Sequence, residues 1–218
     1  MTMNLIALSD HKLSVLRQKV AQELERRCTM TTSGLDAAAI VSGNELAKRA
    51  LIVAAAGSHS ILFLGPSNCG KSMLRAAALE LGLTASFEAR LCPCGNRSDP
   101  GSACHCTIGQ ILRYLRKIPT TDITVEMRRP SHREMGCPGT TLADMRKQIE
   151  AKAPYAPTDL SPLEASLMRA TTVELNLDPA AQRTILAVAR TVASLDQCQW
   201  IGSSHLMEAV NYRSIQRG

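Results

Sequence analysis

The stretch Gly65-Pro66-Ser67-Asn68-Cys69-Gly70-Lys71-Ser72, directly after the apolar run Ile61-Leu62-Phe63-Leu64, constrains this chain more than any other. It satisfies the spacing G-x-x-x-x-G-K-[ST] at every fixed position, the pattern of a phosphate-binding loop between a strand and a helix. Such a loop must curl until consecutive backbone N–H groups face inward as an anion nest, and glycines permit that curl. Lys71 then reaches the β- and γ-phosphates and Ser72 offers its hydroxyl to Mg²⁺. The helical run from Met73 to Glu80 points its positive dipole end at the anion. The expected nucleotide contacts are Gly65, Pro66, Ser67, Asn68, Cys69, Gly70, Lys71, Ser72 and Met73, with ATP and Mg²⁺ as cofactors. The competing reading is an accidental glycine-rich turn.

The 218 residues suffice for one medium domain or a core with a small satellite. Aromatic residues make up only 3% of the chain, so the core must be aliphatic and few rings are available to stack on unpaired bases. A net charge of +6 tolerates an anionic partner without requiring one. The start, Met1-Thr2-Met3-Asn4-Leu5-Ile6, has neither a charged leader nor a long apolar segment, and no apolar run approaches bilayer-spanning length. The expectation is therefore a cytoplasmic protein with no membrane partner.

Residues 5–27 place Leu5, Leu8, Leu13, Leu16, Val20 and Leu24 near helical spacing and predict an amphipathic helix, followed by a linker at 29–34. A second helix, Asn44 to Gly57, ends on a glycine suited to a cap. Strands are expected at 61–64, 84–91 and 122–127, with a helix at 108–117 between the last two. His59 reads as a turn residue, with contact to a nucleotide base as the alternative. Arg128, Arg129, His132 and Arg133 read as a solvated basic loop. From Thr141 the pattern is helical over 141–152, 161–176, 179–194 and 203–214. Leu163, Leu167, Val173, Leu175, Ile185, Leu186, Val188, Val192 and Leu195 are expected to share one apolar face.

Of the 8 cysteines, four fall between Cys92 and Cys106. Without an export signal, such clustering points to metal ligands or reduced thiols before disulfides. Cys92, Cys94, Cys104 and Cys106 can supply four thiolates to a tetrahedral Zn²⁺, with His105 as a spare ligand. The spacing is C-x-C rather than the commoner C-x-x-C, and reduced cysteines shaping a turn are the alternative. Cys28, Cys137 and Cys198 are isolated, and oxidation of Cys69 within the glycine-rich loop would block nucleotide binding.

Three blocks together resemble the magnesium-chelatase-like AAA+ ATPases, in particular their competence-associated branch. The first runs from Ala47-Lys48-Arg49-Ala50-Leu51 through Ala54-Ala55-Ala56-Gly57-Ser58-His59 into Gly65–Leu74. The second is Cys92-Pro93-Cys94-Gly95 and Cys104-His105-Cys106 with Gln110-Ile111 and Arg113-Tyr114. The third is Ile185–Ala193 followed by His205-Leu206, Glu208-Ala209-Val210 and Tyr212-Arg213. The resemblance implies a ring-forming ATPase acting on DNA or a partner protein. It also implies parallel strands ordered 5-1-4-3-2 and a helical lid.

Relative to that family the chain looks internally truncated. The family's Walker B strand and its paired acidic residues have no counterpart, since only Leu83–Leu91 separates the loop helix from the cysteines. The family's sensor asparagine falls on Arg90 and its lid arginine on Ala180, with Arg183 one turn away as a possible substitute. Its conserved arginine has no match between Ile118 and Asp122, and the protease-like domain of longer relatives is replaced by the first 33 residues.

The expected fold is a reduced α/β P-loop AAA+ core, a short parallel sheet ordered 5-1-4 and flanked by helices, followed by a helical lid. The expected division is 1–33 for the amphipathic helix and linker, 34–138 for the core with its Cys-rich loop, and 139–218 for the lid. The expected function is nucleotide binding with hydrolysis weak or absent unless a partner subunit supplies missing groups. A homo-oligomer or a full-length AAA+ partner is implied by the family, as is DNA. The alternatives are a Cys-loop metal-binding structural or adaptor protein with a vestigial nucleotide site, and a decayed fragment.

Overall fold

The structure is a computed structural model that describes residues 41–97, 103–132, 134, 139–155, 157 and 159–214. These residues belong to one compact unit that begins at Asp36. The amphipathic helix expected over 5–27 lies outside the described residues.

The chain builds outward from helix α1, Glu45–Gly57. Its sequence is rich in Ala and Leu, good helix formers, and Ala47, Ala50, Leu51, Ile52, Val53, Ala54 and Ala56 are all buried. A helix apolar on nearly every side must sit inside, and this one does. Gly57 is not the cap that its position suggests. The left-handed capping residue is Ser58, at φ 55°, and its N–H bonds to the Ala54 carbonyl. Gly57 instead permits a close approach, because a Cβ there would fall 2.3 Å from His59 Nε2 and 2.5 Å from Thr191 Oγ1.

Strand β1, Ile61–Leu64, is buried at all four residues. It pairs in parallel with β2, Ser86–Ala89, and with β3, Ile123–Glu126, giving the order β2-β1-β3. Registers run from Ile61 opposite Ser86 and Ile123 to Leu64 opposite Ala89 and Glu126. A reciprocal clamp sets the β1–β3 register. The Ser60 N–H and hydroxyl both donate to Asp122 Oδ2, at 2.9 and 2.8 Å, while the Asp122 N–H donates to Ser60 Oγ at 2.9 Å. β2 is shorter than the 84–91 expected, because a strand ladder extends only as far as its partner does. Helix α2, Lys71–Glu80, leads from β1 toward β2 and buries Leu74, Ala77 and Ala78.

Helix α3, Ile108–Leu115, opens on a capping box between Thr107 and Gln110 and buries only Ile111. Four further helices follow: α4, Leu142–Glu150; α5, Pro162–Glu174; α6, Pro179–Leu195; and α7, Ser203–Ser214. α6 packs on both α7 and α1, α7 reaches β3, and α4 also lies on α1. Leu51, Phe63, Ile123, Ile185, Val188, Val192 and Leu206 thus share one hydrophobic cluster.

Two residues expected on the shared apolar face are not there. Leu163 is 68% exposed and Val173 82% exposed. α5 buries Glu164, Met168 and Thr171 instead, a stripe at i, i+4 and i+7. Leu163 and Val173 lie off that stripe, and only one side of α5 meets the body. Glu164 is tolerated in this position because Ser161 and Ser203 both donate hydroxyls to its carboxylate, which holds it below its ordinary pKa.

Candidate functional site

The loop between β1 and α2 begins at Gly65 and closes into the first turn of α2 at Lys71. Asn68 and Gly70 both take left-handed backbone, at φ 61° and 93°. Asparagine and glycine tolerate that conformation with least strain, and it turns successive amides toward one side. Gly65 has a separate requirement. A Cβ there would lie 2.4 Å from the Met127 carbonyl oxygen, just past the end of β3. The loop therefore depends on a glycine wherever β3 passes this close.

Lys71 is buried at the centre of the loop. Its Nζ donates to the Gly65 carbonyl at 3.1 Å and the Pro66 carbonyl at 2.5 Å, and lies 3.6 Å from Cys69 Sγ. The ammonium thus satisfies its donors on the loop's own main chain. Cys69 is also buried, so its thiol is sheltered from the oxidant that its sequence position suggested. Pro66 is buried as well, Met73 is half-buried, and Ser67, Asn68 and Ser72 are exposed at the mouth.

Two contacts from outside the loop hold it in place, and neither was legible from spacing. Asn44 precedes α1 where a capping asparagine would stand, yet it sits at φ 52° and makes no side-chain cap bond. Its amide donates to the Arg128 carbonyl at 3.0 Å and the Cys69 carbonyl at 3.4 Å, while its Oδ1 accepts the Arg128 N–H at 3.0 Å. Arg129 Nε donates to the Ser67 carbonyl at 3.1 Å. The basic loop is therefore not simply solvated. Arg128 is a forked partner of Glu134, whose carboxylate also accepts the Ser131 N–H and hydroxyl. Those bonds, the Ser131 amide first, pull Glu134 down to about 2. Beside the loop opens a cleft of about 500 Å³ lined by Gly43, Asn44, Glu45, Leu46, Ala47, Glu126, Met127, Arg128 and Glu134.

His59 belongs to a turn. Its Nε2 lies 2.8 Å from Thr191 Oγ1 on α6, and burial lowers its pKa against a smaller opposing pull from Asp122. Arg183 is exposed on α6, and Arg90 is exposed just past β2 with its N–H on the Tyr114 hydroxyl at 3.3 Å.

The four clustered cysteines do come together. Cys92, Cys94, Cys104 and Cys106 place their sulfurs within 4.8 Å of one another, an arrangement that can hold a metal ion. Cys92 is buried and the other three are partly or fully exposed. The Asn96 N–H, followed by the neighbouring thiols, draws Cys94 down to about 6. Cys104 receives the Cys106 N–H, but burial and the adjacent thiols push it up to about 11. His105 is exposed and stands outside the group. Among the described residues, no helix is long and apolar enough to cross a membrane.

The magnesium chelatase, subunit ChlI, family matches residues 37–89, and the magnesium chelatase, subunit ChlI C-terminal, family matches residues 128–213. Uncharacterized protein YifB of Escherichia coli (strain K12) is 28% identical over 143 residues, which is 54% of this chain and 28% of that protein. Competence protein ComM of Haemophilus influenzae is 47% identical over 58 residues, which is 25% of this chain and 11% of that protein. The matched regions thus cover less than a third of either relative. The first match spans α1, β1, the loop, α2 and β2, and the second begins two residues after β3 and spans helices α4 to α7. Through these two blocks the chain belongs to the magnesium-chelatase-like family.

Proposed function

We propose that the chain binds ATP with Mg²⁺ through Gly65–Met73 and hydrolyses it weakly or not at all without a partner subunit. The observation that carries this reading is the strand–loop–helix unit, in which Asn68 and Gly70 take left-handed backbone and Lys71 opens α2 with its ammonium folded onto the loop. Family membership supports nucleotide binding at the level of the family. On this reading Lys71 exchanges the Gly65 and Pro66 carbonyls for phosphate oxygens, and the exposed Ser72 hydroxyl is the protein ligand of Mg²⁺. The metal supplies charge neutralisation between the phosphates. The cleft lined by Asn44 and Met127 is where the remainder of the nucleotide would lie.

Loss of turnover follows from chemistry that the sequence lacks. Hydrolysis needs a group to position water, a carboxylate for the metal and a cation for the developing charge. No pair of adjacent acidic residues occurs anywhere in the chain. Within this proposal β1, β2 and β3 correspond to the first, fourth and fifth strands of an AAA+ sheet, with 34–138 as the core and 139–218 as the lid. The exposed apolar side chains Phe87 on β2 and Leu79 on α2 suit association with another copy or a full-length relative. DNA as a target rests on family resemblance alone.

A second reading, an adaptor with a vestigial nucleotide site, is favoured by one observation: the Lys71 ammonium is bonded to its own loop. Thermal melting with and without Mg·ATP separates the two. A rise in Tm that disappears in Lys71→Ala supports binding, and equal behaviour of both proteins supports the adaptor.

A further inference from the structure

We propose that Cys92, Cys94, Cys104 and Cys106 bind one zinc ion as four thiolates, and that this ion pins loop 92–106 against the loop that follows β1. The proposal goes beyond the nucleotide reading and does not depend on it.

The sulfur geometry is that of a single-ion site. Cys92 and Cys94 sulfurs are 3.3 Å apart, Cys94 and Cys104 3.6 Å, and Cys104 and Cys92 3.7 Å. A tetrahedral ion with metal–sulfur bonds of about 2.3 Å sets sulfurs roughly 3.8 Å apart. A disulfide requires about 2.05 Å, well inside every one of these separations. Sulfurs this close together enclose one ion and leave no room for a cluster of irons and sulfides. An all-thiolate set also selects against Mg²⁺ and Ca²⁺, which prefer oxygen.

The main chain also serves this group. The Arg97 N–H donates to Cys92 Sγ at 3.3 Å. Such a second-layer donor orients a ligating thiolate and stabilises its charge.

The loop also lacks another reason to be ordered. Among its described residues only Cys92 and Gly95 are buried, so hydrophobic burial cannot offset the entropy of fixing it. Metal binding can, since its free energy is also folding free energy. Four thiols deliver four protons to solvent as four sulfur–zinc bonds form, with no change in oxidation state. The ordered loop then has a place to act. Gly95 follows the second ligand directly, and a Cβ on it would lie 2.9 Å from Arg90 Cδ and 3.6 Å from Ser67 Oγ. The metal thus braces the mouth of the Gly65–Ser72 loop from the β2 side.

The test uses the full chain purified under reducing conditions. Elemental analysis should find one zinc per chain. After chelation, added Co²⁺ should give the charge-transfer band of four thiolates and the visible bands of tetrahedral cobalt, and zinc should abolish both stoichiometrically. Cys92→Ser and Cys104→Ser should lose the metal, whereas His105→Ala and Cys198→Ser should retain it. A reduced wild-type chain with no metal and no cobalt–thiolate band overturns the proposal, as does iron in place of zinc or a metal retained in Cys104→Ser. Because the cysteine variants can fail to fold, the cobalt titration of the unaltered chain decides the matter alone. Metal content is read without nucleotide, so its failure is distinct from failure of ATP binding.

Discussion

Lys71 donates its Nζ to the carbonyl of Gly65 at 3.1 Å, so the loop's only lysine is bonded back onto the loop's first residue. Any anion that recruits this ammonium must compete with that carbonyl and with Pro66. The structure therefore describes a loop that is assembled but internally satisfied.

If Lys71 exchanges partners, Mg·ATP at about a hundredfold above Kd stabilises the fold by about 2.7 kcal/mol. For a chain of this length that corresponds to a rise of roughly 5–11 °C in Tm. Lys71→Ala should show no such rise, which differential scanning fluorimetry with and without Mg·ATP will read. Phosphate release by the purified wild-type chain should stay at background.

Gly65→Ala should destabilise the protein by about 1–3 kcal/mol, because its Cβ meets the Met127 carbonyl at 2.4 Å and β3 cannot retreat without breaking its ladder to β1. Urea unfolding provides the measurement. A loss below a few tenths of a kcal/mol would show that the loop and β3 part freely.

Arg49 ties α1 to the C-terminal helices through Asp196 Oδ1 at 2.9 Å and Glu208 Oε1 at 3.1 Å. All three side chains remain partly exposed, so Arg49→Met should cost only about 1–2 kcal/mol. A double-mutant cycle with Glu208→Gln should return a coupling of roughly 0.5–1 kcal/mol.

His59 makes stability depend on pH in a defined direction. Burial lowers its folded pKa below the 6.5 of an ordinary imidazole, with Asp122 opposing in part. The unfolded chain therefore binds more protons in this window. The contribution is complete above 6.5 and is lost as pH falls from there toward the folded value. Unfolding free energies measured between neutral and mildly acidic pH should decline in the wild type and decline less in His59→Gln.

Chelation should act locally. α1, the sheet and α6 share a core to which loop 92–106 contributes little, so far-UV circular dichroism should change only slightly. Limited proteolysis should open a new cleavage site within 92–106 once metal is removed, and zinc should restore protection.

Much of the architecture was legible before any coordinates. The three strands and α3, α4, α5 and α7 fall within the predicted segments because hydrophobic period and proline or glycine punctuation are local properties. Helix α2 starts two residues before its predicted run, and α6 ends one residue past its own. α5 shows where that reading fails. Apolar residues marked a helix, yet period alone could not say which side would face the body, and Leu163 and Val173 ended in solvent while Glu164 was buried. Gly57 shows a similar limit: glycine near a helix end suggested a cap, while the actual need came from the His59 ring and from Thr191, which lies far along the chain.

By itself the sequence determined the strand–loop–helix unit, the cysteine spacing and the family, since each depends on residues near one another in the chain. Tertiary structure decided how the loop is held. Asn44, Arg129 and Met127 reach Gly65–Cys69 only because β3 lies beside β1 and α1 ends its approach there. It also decided that two C-x-C segments converge within 4.8 Å. Spacing along a chain can supply the ligands and donors of a site, but only packing brings distant ones to the same point.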